Sequence, residues 1–387
     1  MKEQIRYVDR VGSNCVKWDG QKNMYGDNGL LGMWVADMDF QAPVCVKEAL
    51  QRYVEYGVYG YTFPAEDYYT SFIDWERERH GYEVQKDWIR YAPGVVPAFN
   101  WWVQLSTRPG DAVMVLMPVY YPFHFAVKNN GRRLVTCELR RENGVYGIDF
   151  DAFEKTIVAE QVKCFILCSP HNPVGRIWTR EELQRMLEIC RKHGVFVISD
   201  EIHHDLEFGG NVHIPSATVG EYDDMLVTLT APTKTFNLAG LKNALVIIPD
   251  EELRKKFDAF ATSISVTGGG TVGYLAAQAA YRGGSDWLEQ VKEIIYGNYL
   301  YAAEALKAAL PELVVSPLEG TYLMWIDFGA YLKAEEMEDF FRNKCRVAID
   351  YGSWFGGDAA TCIRVNLATS RENVETCVER IVAELKK

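Results

Sequence analysis

Lys234 lies between Thr233 and Thr235, just past an apolar run, residues 225–229, that reads as a buried strand. A lysine at the carboxyl end of such a strand can condense with an aldehyde as a Schiff base, provided its pKa is depressed enough to free the amine. One Thr-Lys-Thr decides little, because lysine is seldom buried and most such lysines sit in solvated turns. Two more polar strand ends upstream change that balance. The apolar run Val162–Cys168 breaks into Ser169-Pro170-His171-Asn172-Pro173-Val174-Gly175, and residues 195–198 end in Ser199-Asp200-Glu201-Ile202-His203-His204-Asp205.

The elements that must position these residues are legible too. Thr179 opens a helix with Glu182 three residues on, a capping box. Leu183, Met186, Leu187 and Cys190 lie on one face, and Gly194 ends it. The segment is therefore a strand-helix-strand unit. In open parallel sheets, ligands bind outside the carboxyl ends of the strands, where Asn172, Asp200 and Lys234 all fall. The three together suit pyridoxal phosphate. A carboxylate at Asp200 keeps a pyridine nitrogen protonated so that the ring accepts electrons. Asn172 can donate its amide to the ring's phenolate oxygen, and His203 can reach the same oxygen or buttress Asp200. Taken singly, an Asp or Asn at a strand end is more often a turn former or helix cap; three ends agreeing on one cofactor reverse that.

On these residues, and on Asp200-Glu201-Ile202-His203 with Trp34-Val35-Ala36-Asp37-Met38-Asp39-Phe40, the chain resembles the fold-type I pyridoxal-phosphate enzymes, the aspartate aminotransferase superfamily. Within it the resemblance is to the cystathionine β-lyase-type carbon-sulfur lyases, from about residue 30 to the end. It implies an α/β fold: a large domain with a mostly parallel sheet covered by helices, plus a smaller α+β domain formed by the N-terminal segment and the C-terminal part. It also implies Lys234 as the lysine that holds the cofactor, Asp200 at the pyridine nitrogen and Asn172 at the ring oxygen. Tyr120 falls where the family stacks an aromatic ring, with Tyr121 beside it on the substrate side. The phosphate would lie at Gly94-Val95-Val96, where a turn feeds a helix expected from Pro97, with Thr233 adding a hydroxyl. Tyr61 matches a tyrosine that reaches the neighbouring subunit's phosphate, which implies a homodimer. Arg364 matches the arginine that grips the substrate carboxylate, and Val35 and Ala36 are brought toward it.

Departures from the aminotransferase pattern are equally visible. Lys242 stands where many aminotransferases place a phosphate-binding arginine, and a point charge cannot grip two oxygens as a guanidinium does. Ala231 replaces a serine, and His203 a tyrosine. Residues 268–271, Gly-Gly-Gly-Thr, either approach a phosphate or form a tight loop.

Composition bounds the rest. At 387 residues the chain is large enough for two domains, expected as 1–46 (arm and part of the small domain), 47–284 (cofactor-binding) and 285–387 (small domain). A net charge of −12 without basic runs argues against nucleic acid as a partner. With no apolar signal core in the first thirty residues and no membrane-length stretch, a cytoplasmic location is expected. Nine cysteines without metal spacing read as small core residues, and the His203-His204 pair lacks a third ligand, so no metal is expected.

The expected reaction is α,β-elimination of cystathionine or a cysteine-type amino acid to a thiol (homocysteine or sulfide), pyruvate and ammonia. An aminotransferase of class I/II would use the same residues. A regulatory or binding protein that kept the fold would not need them all.

Overall fold

The computed structural model describes residues 4–387. Seven strands form the main sheet, in the spatial order Ile89–Ala92, Ala244–Ile247, Leu226–Thr230, Phe196–Asp200, Val162–Cys168, Ala112–Met117 and Arg133–Glu138. The last five run parallel, and Ala244–Ile247 is antiparallel to both its neighbours. Parallel strands need crossover helices, and these cover both faces. Along Ala112–Met117, Met114 and Leu116 enter one apolar core while Val113 and Val115 enter another, the period of two expected of a strand buried on both sides. This mixed, mostly parallel α/β sheet is the expected fold class.

The strand-helix-strand unit forms as its sequence dictates. Thr179 Oγ1 accepts the Glu182 N–H, the Glu182 carboxylate accepts the Thr179 N–H, and the helix Arg180–Lys192 buries Leu183, Met186, Leu187 and Cys190. Gly194 follows at φ 65, a left-handed stop that suits glycine. Ladder bonding carries two strands past their apolar runs. Leu167 pairs with Ser199, Cys168 with Asp200 and Asp200 with Leu229, so polar residues occupy the strand ends.

A second, antiparallel sheet has the order Val314–Val315, Leu323–Asp327, Cys362–Asn366, Asp350–Tyr351. The long helix Ser285–Ala309 leads into it. Beyond it come a 3-10 turn, Ala334–Glu336, and a π-helical turn, Asp339–Lys344. The adjacent Phe340 and Phe341 are both buried there, and the wider turn lets neighbouring rings share one core-facing side.

The N-terminal segment is stitched to this second sheet. Leu31–Gly32 pairs in parallel with Val347–Ala348, and the Asn366 N–H donates to the Met33 carbonyl at 2.8 Å. Residues 33–40 then form a strap between the two sheets. Asn366 Nδ2 donates to the Val35 and Asp37 carbonyls, both at 2.6 Å. From the other side Asn237 Nδ2 donates to the Met38 and Phe40 carbonyls, while its Oδ1 accepts the Met38 N–H. Among the described residues no helix is long and apolar enough to cross a membrane.

Candidate active site

Five strand carboxyl ends and one strand amino end meet at the same edge of the main sheet, around a cavity of about 380 Å³. The end after Ala92 contributes Gly94, Val95 and Val96; the end after Met117 contributes Tyr120; the end after Cys168 contributes Asn172. Asp200, Ile202 and His203 follow the next strand, Thr233 and Lys234 the next. Lys242 stands at the amino end of the antiparallel strand, and Ala36 comes from the strap.

Lys234 sits in a one-turn helix, Pro232–Thr235, and its Nζ donates to the Ala36 carbonyl at 2.5 Å. Burial, helped by the Arg364 charge and opposed by Asp37 and Asp200, brings the amine down to about 8. Asp200 is buried, and burial pushes its carboxyl up to about 7 although the Ile202 N–H and Lys234 favour the anion. That carboxylate accepts a single backbone hydrogen bond, which leaves it short of partners. His203 is buried with Nδ1 unpartnered, and burial plus the Lys234 and Arg364 charges keep its ring neutral.

At another wall the helix Val95–Ser106 points its N-terminus into the cavity from Gly94, with no side chain capping it. It begins at Val95, two residues before the expected Pro97, so the free amides belong to the residues nearest the cavity. Thr233 and Lys242 border the same space. Free helix amides, a hydroxyl and a cation fit a phosphate. A carboxylate short of donors fits a protonated ring nitrogen, and a half-buried amine of lowered pKa fits an aldehyde. The residues present therefore fit a phosphorylated pyridine aldehyde.

Arg364 and Asn172 are coupled. Arg364 Nη1 donates to Asn172 Oδ1 at 2.9 Å, which leaves the Asn172 amide free to donate toward the cavity. The other arm pairs with Asp350 and lies 3.5 Å from the Trp34 carbonyl, with the guanidinium over the Phe355 ring at 4.9 Å. Its Nε is buried without a partner. Asp350 and Arg364 are direct cross-strand neighbours. Sequence reading missed Asp350; the signal was a lone carboxylate after the apolar Val347, Ala348 and Ile349, which cannot be buried without a partner. It also missed Tyr322, whose hydroxyl donates to the Ala36 carbonyl at 2.7 Å, and Cys168, which lines the cavity floor. Neither carries a sequence signal.

The remaining expected residues fall outside the cavity wall. Tyr121 is half-buried and packs edge-on against Phe355 at 5.6 Å. Val35 is partly buried beside Ala36. Tyr61 is fully exposed, in an irregular stretch with exposed Val58, Tyr59 and Phe63. In the loop 268–271 the Gly269 N–H donates to the Tyr274 hydroxyl, and a Cβ there would strike the Tyr91 ring. That close approach accounts for glycine at 269. Behind the cavity, one ligand-type atom from each of Glu76, His80 and His204 lies within 4.8 Å of the others, a grouping that sequence spacing did not foretell.

Fold and site together define an α/β scaffold of the fold-type I class, with a lysine-bearing pocket at the carboxyl edge of its sheet. The chain belongs to the aminotransferase class I and II family, whose model matches residues 35–381. It is 39% identical over 379 residues to the cystathionine beta-lyase PatB of Bacillus subtilis, covering 97% of this chain and 98% of that one. Its fold matches the PLP-bound structure of a putative aminotransferase from Clostridium difficile with a TM-score of 0.95, at 40% identity and 98% coverage of each chain. It matches cystalysin from Treponema denticola, which contains a pyridoxal 5'-phosphate cofactor, with the same TM-score at 35% identity, over 100% of this chain and 99% of that one.

Proposed function

We propose that the chain is a pyridoxal-phosphate-dependent carbon-sulfur β-lyase that cleaves cystathionine and related cysteine-type amino acids to a thiol, pyruvate and ammonia. The observation that carries this reading is the convergence of Lys234, Asp200, Asn172 and the Val95 helix terminus on one cavity, in a chain closely similar to a cystathionine beta-lyase. When bound, the cofactor supplies an aldehyde for the lysine and a protonated ring that takes up the electron pair released at the substrate's α carbon.

The chain's own residues do the rest. Asp200 keeps the ring nitrogen protonated, and the partner it gains there relieves its buried charge. The Asn172 amide, aimed by Arg364 at its oxygen, holds the ring oxygen, with His203 beside it. The amides of Val95 and Val96, the Thr233 hydroxyl and Lys242 would hold the phosphate, and Tyr120 would supply an aromatic wall for the ring. Arg364 binds the substrate α-carboxylate, with Val35, Ala36 and Tyr121 at its border. Lys234 Nζ, lowered toward neutrality, takes the α proton. The electron pair left at the α carbon then forms an α–β double bond as the β carbon expels its sulfur as thiolate, and water hydrolyses the three-carbon enamine to pyruvate and ammonia.

The test is product analysis on purified protein supplied with cofactor and L-cystathionine and no keto acid. Homocysteine, pyruvate and ammonia in equal amounts are expected. Turnover that appears only when a keto-acid acceptor is added would make the chain an aminotransferase, and binding without turnover would make it a binding protein.

We further propose a homodimer in which Tyr61 reaches the partner's phosphate site. The exposed apolar run around Tyr61 supports it, since such a run on a lone chain is a mark of an interface. Mixing Tyr61→Phe with Lys234→Ala subunits is expected to restore about a quarter of full activity, because heterodimers collect both lesions in one of their two sites. No recovery despite proven exchange would rule the shared site out.

A further inference from the structure

Residues 200–205 have two faces. Asp200 and His203 face the cavity, whereas Glu201, His204 and Asp205 point behind it into a buried polar cluster that the proposed reaction does not use. Asp205 Oδ1 accepts from Trp75 Nε1 at 3.0 Å and lies 3.0 Å from His80 Nε2. Its Oδ2 accepts the Thr235 hydroxyl at 2.7 Å. His204 Nε2 lies 3.2 Å from Glu76 Oε1 and 3.3 Å from Asp205 Oδ2, while its Nδ1 is 2.6 Å from the Glu201 carbonyl. Every one of these side chains is at least nine-tenths buried.

Thr235 is the last residue of the one-turn helix that carries Lys234. Four residues cannot hold a helix by themselves, since nucleation is unfavourable and the first turn earns a single bond. The turn must be held from outside, and Thr235 to Asp205 is its side-chain anchor on the side away from the cavity. Asp205 in turn is a buried carboxylate, stable only when its lone pairs are met by fixed donors. His204 Nε2, 3.2–3.3 Å from two carboxylate oxygens, makes no aligned hydrogen bond to either, so the bonds that fix Asp205 are those to Trp75, His80 and Thr235.

We propose that Asp205 and Thr235 form a positioning contact that sets the reach of Lys234, and that Trp75 and His80, at the other oxygen of Asp205, hold that contact in place. The inference rests on Lys234 being the base of the proposed reaction. Neither Asp205 nor Thr235 touches the cavity; both act through the lysine.

Asp205→Asn would leave the buried groups around it half-paired and risks misfolding, so the decisive variant is the isosteric Thr235→Val, with Thr235→Ser as its rescue. The first readout is amide hydrogen exchange in the cofactor-free protein. Thr235→Val is expected to speed exchange across residues 230–237 by about tenfold while the rest of the chain is unchanged. Thr235→Ser is expected to match the parent. In the loaded enzyme Thr235→Val should lower kcat by about tenfold with KM within about twofold, because Arg364 still holds the substrate. Unchanged local exchange, a uniform rise over the whole chain, or failure of serine to restore the parent behaviour would overturn the proposal. So would a stoichiometric transition metal in the purified protein by elemental analysis, since an ion on Glu76, His80 and His204 would take over the hold on His80 that the proposal gives to Asp205. Because exchange is read without cofactor or substrate, a parent protein with no lyase turnover counts against the function alone, and the exchange result still decides the contact.

Discussion

The two faces of residues 200–205 are built from the same residue types and end in opposite states. On the front, Asp200 accepts one backbone hydrogen bond and is pushed up to about 7 by burial, and His203 keeps an unpartnered Nδ1. On the back, Asp205 is held well below the usual carboxylate range. Burial opposes this, and the His204 and His80 rings with the Thr235 hydroxyl overcome it. Burial favours the neutral His204 ring, yet Asp205 and Glu76 hold it up at about 10. The back is held by its own charge pairs, although Glu76 Oε1, His80 Nδ1 and His204 Nε2 make no aligned hydrogen bond. The front has a carboxylate with one backbone bond and no ion pair of its own, and the partner proposed for it is the cofactor.

The comparison breaks most sharply at Lys234. Lys234→Ala removes the amine proposed as the base and is expected to lower lyase turnover by about three orders of magnitude or more, while leaving the thermal midpoint of the cofactor-free protein close to the parent's. Parent-like turnover would show that the front face is not the reactive one.

A smaller effect is expected where the front reaches the second sheet. Arg364→Ala should raise KM for cystathionine by about 10- to 100-fold, since a hydrogen bond to a charged group contributes about 1.5–3 kcal/mol. Asp350→Asn should raise KM by less, about tenfold, with kcat largely kept, because Arg364 loses its cross-strand partner but keeps Asn172. Steady-state kinetics on both variants measure the split; equal losses in kcat would mean that Asp350 does more than orient the guanidinium.

The smallest and most specific effects are in stability against pH, where the two faces occupy different windows. Asp200 has a folded pKa of about 7, above its ordinary 3.8. The unfolded chain therefore releases that proton first, and cofactor-free stability falls as pH rises from about 4 to 7, by up to roughly 4 kcal/mol. Asp200→Asn should flatten that window, and so should added cofactor. His204 is raised from 6.5 to about 10. Its contribution is fully present below about 6.5 and is lost as pH rises through about 10. His204→Gln should remove the upper slope and leave the lower one intact. Urea midpoints across pH 4 to 10 check both; a lower slope that cofactor does not remove would contradict the assignment of Asp200.

Much of this was legible because the signals are local. Val162–Cys168 is a strand as read, Thr179 and Glu182 close a capping box, and Lys234, Asp200 and Asn172 line the cavity. Apolar period, cap chemistry and the rule that ligands meet strand carboxyl ends need only neighbours in sequence. The helix at Val95 began earlier than expected because Pro97 suits the first turn of a helix without having to be its first residue.

What the sequence by itself determined is therefore the class of fold and the chemistry carried at three strand ends, since each depends on a short run of residues and its period. Tertiary structure decided the rest. Asp350 meets Arg364 through a cross-strand register, and Tyr322 and Lys234 share the Ala36 carbonyl from 286 and 198 residues away. Glu76, His80 and His204 gather only when a helix packs behind a strand end. Pairings of this kind are fixed by packing between distant elements, and no local pattern of residue types encodes which buried donor will find which acceptor.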